Sequence, residues 1–152
     1  MNSDLTNISP QFYGITMVPK EKWREYGYAL LTIAGSDGIV SDPELEWLTI
    51  DMAREVGVDE EVLADWEEFD YESSDLEDLF VTFNSSALAS FNKLLIYDAI
   101  RMSSADGDYA LEEKEQVREA ARILKVSPEM VLAIEALVSL EEAANNLRLT
   151  IL

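Results

Sequence analysis

Part of this chain occurs twice, and that constrains its fold more than any other feature. Ile33-Ala34-Gly35-Ser36-Asp37-Gly38 aligns with Met102-Ser103-Ser104-Ala105-Asp106-Gly107, and the match runs on through Glu44 and Glu113, at a constant offset of 69 positions. An apolar helical stripe precedes each segment. An amphipathic stretch follows, ending at Val56-Gly57-Val58 in the first copy and at Leu124-Lys125-Val126 in the second. Each copy therefore reads as helix, Asp-Gly turn, helix, short loop, helix. One such unit cannot bury its own apolar faces, so the two are expected to pack on each other about a pseudo-twofold axis.

Periodicity between the turns is helical throughout. Trp23, Tyr26, Leu30 and Ala34 share one stripe; Leu45, Leu48, Met52 and Val56 share another. Leu76, Leu79, Phe80 and Phe83 form a third, and Phe91, Leu94, Asp98 and Met102 a fourth with one polar member. Val117, Ala120, Ala121 and Leu124, then Val131, Ile134 and Val138, continue the pattern. Helix starts are marked as well. Ser41-Asp42-Pro43-Glu44 has the form of a capping box, Asp59 precedes an apolar run, and Ser127-Pro128 places a cap before proline at the first helical position. The expectation is an all-α bundle of about seven short helices. Residues 1–19 read as an N-terminal extension, 20–147 as the helical domain (repeats about 20–70 and 89–138), and 148–152 as a tail. Alternation of Leu147, Leu149 and Ile151 leaves that tail as a docked extension or a frayed helix end.

Composition narrows the chemistry. The chain has neither cysteine nor histidine, which excludes disulfides, thiolate nucleophiles, histidine-based triads and the usual zinc ligands. Lysine and arginine number 11 against 31 acidic residues, a net charge of −20 that opposes nucleic-acid binding. Met1–Gln11 lacks the pattern of a secretory signal, and no run of about twenty apolar residues could span a bilayer. A cytoplasmic location without membrane insertion is expected. Twelve carboxylates and no basic residue lie between Glu55 and Asn92, forming either a solvated face or a docking surface for a basic partner or cations.

The Asp-Gly pairs suit a turn: glycine accepts positive φ at a helix end, and aspartate bonds the local backbone. Val40 and Tyr109, two residues after each glycine, are placed to pin the loop to the core. In an EF-hand register Glu44 and Glu113 would fall at the last ligand position. The first and third positions, however, hold Ile33 and Gly35 in one copy and Met102 and Ser104 in the other, so a true EF-hand is excluded. A weaker, partly hydrated site remains. Its metal candidates are Asp106, Asp108 and Glu113 in the second copy and Asp37 and Glu44 in the first, for weak calcium or magnesium binding; no other cofactor is expected. The second turn is the better site on this reading, because Glu44 has Ser41 as a capping partner whereas Ala110 offers Glu113 no hydroxyl. Asp98 is a second-tier candidate. It either pairs with Arg101, three residues on, or faces the Asp106 turn, and the ion pair is favoured. Trp47, Trp66 and Phe69 read as core or helix-contact residues.

An apolar helix ending in Ala/Ser-Asp-Gly, an apolar residue two later and Glu six after the glycine resembles the TerB-like tellurite-resistance family. Gly35-Ser36-Asp37-Gly38 with Glu44, Ser104-Ala105-Asp106-Gly107 with Glu113, and Leu94-Leu95-Ile96-Tyr97-Asp98-Ala99 carry the likeness, which covers about Arg24 to Leu137. The resemblance implies an all-helical fold, a role in tellurite and related stress, other resistance or stress proteins and a membrane-bound protein as partners, and cation ligands at Asp37, Glu44, Asp106 and Glu113.

Three functions follow: a stress-response binding or adaptor module with divalent-cation sites, a pure protein-interaction module using its acidic surface, and a carboxylate-based hydrolase. No nucleophile–base constellation or phosphate-binding loop is assembled in the sequence, so a non-enzymatic role is expected. The acidic stretch makes a separate prediction. Self-repulsion among its carboxylates should be relieved by screening, so Tm should rise from low to moderate ionic strength. A flat or falling Tm in a salt series would show that the acids are already paired.

Overall fold

The computed structural model describes residues 18–35, 39–74, 77–79 and 91–152. Among them, seven α-helices and no strand are present: α1 (Trp23–Ala34), α2 (Asp42–Glu46), α3 (Ala53–Val56), α4 (Glu60–Glu68), α5 (Asn92–Ser103), α6 (Leu111–Ile123) and α7 (Pro128–Ile151). A π-helical stretch, Trp47–Met52, joins α2 to α3, and short 3-10 turns occupy Lys20–Lys22 and Tyr71–Ser73. The stripe of Leu76, Leu79, Phe80 and Phe83 falls mostly outside the described residues, as does Asp37.

Two helices form the centre. α1 buries Tyr26, Ala29, Leu30, Leu31 and Ile33, which lie on more than one side of the helix. α5 does the same with an unbroken run from Leu95 to Ile100. A helix apolar nearly all round must be enclosed by others. α1 and α5 pack against each other; α4 and α6 also contact α1, and α6 and α7 contact α5. These central helices are the ones that precede the two Asp-Gly segments. Their pairing brings the two copies together.

The ends obey the local chemistry. Ser127 caps α7, its hydroxyl oxygen accepting from the Met130 N–H at 3.2 Å. Asp59 holds the cap position of α4, but its carboxylate makes no capping bond. After α3 and α6 the chain turns in the same way. Gly57 (φ 73°) and Lys125 (φ 64°) are both left-handed, and the next N–H reaches back from Val58 to Ala53 and from Val126 to Ala121. This is the Schellman cap with an apolar residue after it. The tail differs from expectation: α7 runs unbroken to Ile151, across the boundary placed at residue 147, as neither a separate docked segment nor a frayed end. At the other end Val18 is buried and accepts from the Trp23 indole N–H at 3.1 Å, so the body begins slightly before residue 20.

α4 approaches α1 closely because Gly27 has no side chain. A Cβ at Gly27 would lie 2.1 Å from the Trp66 ring, whose Nε1–H donates to the Arg24 carbonyl at 3.1 Å. Gly27→Ala is therefore an overpacking change, expected to cost about 1–3 kcal/mol in urea unfolding. The same change in a Trp66→Leu background should cost less than half as much. Equal costs in both backgrounds would show that the contact does not limit the packing.

Candidate functional site

The N-terminus of α2 carries the first candidate. Ser41 and Glu44 form the reciprocal capping box: Glu44 Oε1 accepts from the Ser41 N–H at 2.8 Å, and Ser41 Oγ accepts from the Glu44 N–H at 3.3 Å. Its side chain is also pressed inward, leaving Glu44 only 3% exposed. The second oxygen, Oε2, is buried with no hydrogen-bonding partner. A buried carboxylate oxygen without a donor is costly, so its surroundings are informative.

Those surroundings come from the other copy. Contact between α2 and α5 brings Glu44 to the Asp106 turn and the start of α6. Glu113 sits three residues into that helix region and accepts from the Ala110 N–H at 2.9 Å. Ala110 returns nothing, having no side-chain oxygen. Asp106 Oδ1 accepts from the Asp108 N–H at 2.9 Å, a turn that Gly107 completes at φ 85°. One carboxylate oxygen from each of Glu44, Asp106 and Glu113 lies within 4.8 Å of the others. The sequence suggested two separate sites, one per turn. The fold gathers carboxylates from both copies into one cluster, and Glu44, assigned to the lesser turn, is its most buried member. Asp108 is exposed and outside this trio, contributing its backbone N–H to the turn.

Crowding of acids has an electrostatic consequence. Burial first, and then the adjoining Glu44 carboxylate, push the Glu113 carboxyl up to about 8. A proton on Glu113 can be donated to the Glu44 carboxylate. A cation would relieve the same crowding by charge.

Asp98 belongs to a different assembly. It is fully buried, accepts from the Tyr26 hydroxyl at 2.6 Å and pairs with Arg101 at 3.1 Å. The favoured ion pair is thus present, and Asp98 stands outside the carboxylate trio. Burial raises its carboxyl to about 6, against the lowering influence of Arg101 and Tyr26. The Arg101 guanidinium lies 5.0 Å from the Trp47 ring centroid and 5.2 Å from that of Tyr97, and the Tyr97 hydroxyl donates to Glu141 of α7 at 2.6 Å. The sequence places Tyr26 in an apolar stripe and Tyr97 in the motif before the second turn, without a polar role for either, and does not single out Glu141. Each sits on a helix where a tyrosine or glutamate reads equally well as core or surface. A second tyrosine–glutamate pair, Tyr109 to Glu135 at 2.7 Å, ties the residue after the Asp-Gly turn to α7. Val40 and Tyr109 both pack half-buried on the core, where loop-pinning residues belong. Beside the Asp106 loop an open cleft of about 750 Å³ is bounded by Trp47, Arg101, Tyr109, Glu141 and Arg148.

Glu113 gives the site a testable sign. Its folded-state pKa lies above the ordinary value of about 4.3, so the protonated form is favoured by folding. That stabilisation is complete below about pH 4 and is lost as pH rises through about 8. In chelator-treated protein, wild type should lose stability relative to Glu113→Gln between pH 5 and pH 9, the variant curve lacking that component. Parallel curves across this range would show that Glu113 titrates normally.

No protein-family model matches the chain, and no curated protein does. Among solved structures, a tellurite resistance protein from Nostoc punctiforme superposes with a TM-score of 0.78 at 28% sequence identity, over 91% of this chain and 85% of that one. Duplicated Asp-Gly segments, seven α-helices in the described residues and this likeness together support the resemblance to the TerB-like tellurite-resistance family.

Proposed function

We propose that this TerB-like protein acts in tellurite and related stress as a non-enzymatic binding module, holding a divalent cation between Glu44, Asp106 and Glu113. The observation that carries this reading is the meeting of Glu44, whose buried Oε2 has no donor, with the carboxylates of Asp106 and Glu113. Three hard oxygen donors suit calcium or magnesium, with water completing the shell. They would repel an oxyanion such as tellurite, so direct capture of the anion at this site is disfavoured. Support for the stress role comes from the solved relative, described as a tellurite resistance protein. A cation here would join α2 to the Asp106 turn, which makes the state of the site a natural signal to a resistance or stress-protein partner.

Affinity should be weak, roughly 10⁻⁴ to 10⁻³ M, because the trio offers few ligands and both glutamates already accept from helix-start N–H groups. In a calcium or terbium titration of the chain, Glu113→Gln and Glu44→Gln should each lose most of the response, whereas Asp108→Asn should lose little. Stability should rise by on the order of 1 kcal/mol at a few times the dissociation constant in wild type only. Retention of the response in Glu44→Gln would refute a site shared between the copies. For the biological role, tellurite survival of cells carrying Glu44→Gln/Glu113→Gln should fall towards that of cells without the protein. Full survival with normal protein levels would separate resistance from the trio.

A further inference from the structure

α7 is 24 residues long, about 36 Å, and the body holds only its first part. Val131, Ile134 and Val138 are buried, whereas every residue from Glu142 onward is exposed. On the flank turned away from those buried residues, by roughly 130° at 100° per residue, lie Leu137, Leu140, Ala144, Leu147 and Ile151. Leu140, Leu147 and Ile151 are 69%, 58% and 66% exposed. Their separations alternate between three and four residues. Such strict alternation is the seam of a two-helix coiled coil, narrower than the stripe of a helix lying on a globular body.

We propose that this seam pairs with the same seam of a second copy of the chain, the two α7 helices running antiparallel across a twofold axis near Asn145. Charge selects this occupant. The chain carries 31 acidic side chains, yet none lies between Ala143 and Leu152, so this is where two molecules of net charge −20 can approach with least repulsion. Charge also selects the direction. Glu141 follows Leu140 and Arg148 follows Leu147, occupying equivalent positions beside the seam. Equivalent positions on that side face one another in an antiparallel pair, so Glu141 of each copy meets Arg148 of the other. In a parallel pair they would face Ala136, Ala143 and Thr150, which offer no countercharge. The aligned seams make about four layers, at the small end of stable interfaces, so dissociation on the order of 10⁻⁵ M is expected. No seam residue belongs to the carboxylate trio, and the two readings fail independently.

Sedimentation equilibrium of the full chain should show a monomer–dimer equilibrium that tightens with added salt, as screening relieves the repulsion between copies. Leu140→Glu/Leu147→Glu alters exposed residues only and should weaken the dimer at least tenfold with an unchanged circular dichroism spectrum. Arg148→Glu, which sets Glu141 against a like charge, should weaken it more modestly. Because the chain has no cysteine, orientation can be read directly: Ala144→Cys should form a disulfide-linked dimer on oxidation and Leu137→Cys should not. A monomer at millimolar concentration, or a dimer indifferent to both charge variants, overturns the proposal. Cross-linking through Leu137→Cys overturns the antiparallel arrangement. Should Ala144→Cys remain monomeric and resist alkylation in the folded protein, another part of the chain covers the seam, and the proposal fails.

Discussion

A carboxylate with no exposure to water organises this molecule. Both Asp98 oxygens are occupied, one by the Tyr26 hydroxyl from α1 and the other by Arg101 from its own helix. Arg101 in turn lies over Trp47 and Tyr97, and Tyr97 reaches Glu141 on α7. Apolar contacts let helices slide and rotate at small cost; directional bonds to a buried charge do not. Removal of one member leaves another charged or polar group buried and unpaired, typically a loss of 3–5 kcal/mol for an ion pair. The network thereby fixes α1 on α5, and through them the placement of the helix ends that carry the Asp-Gly segments.

The two copies have diverged in where they satisfy the same backbone needs. The first begins its second helix with a hydroxyl cap at Ser41; the second begins it at Ala110 with half of the box missing. The first ends it on Gly57, at home in the left-handed region, whereas the second forces Lys125 there at a cost of about 1 kcal/mol. Glu44 and Glu113 nevertheless keep the same bond to the preceding N–H, three residues back. What persists between the copies is the pair of glutamates that meet.

Most of the fold was legible in the sequence because helical periodicity, caps and the repeat agree with one another. The Ser41–Glu44 box, the Ser127 cap, the Asp98–Arg101 pair and the core role of Trp66 all follow from local spacing. The site was only half legible. Spacing within one copy identifies Glu44, Asp106 and Glu113, but which of them meet is a property of packing between copies, and no short-range pattern encodes it. For the same reason spacing groups Asp108 with Asp106 and Glu113, although in the fold it lies outside the trio. The tail was misread because Leu147, Leu149 and Ile151 alternate locally, while the longer series from Leu137 to Ile151 has the three-and-four rhythm of a helix.

The meeting of Glu44 with Glu113 also closes a loop. These side chains are 69 residues apart in the chain, and a proton or cation held between them links the two repeats as a reversible cross-link would. Closing a loop of that length removes freedom that grows only as the logarithm of its size, so even a weak tie restrains the whole span. Such a tie acts on the separation of the halves, a rate, more than on the structure of either. Acidity and divalent-ion supply would then govern how long the two repeats stay together once the chain has folded.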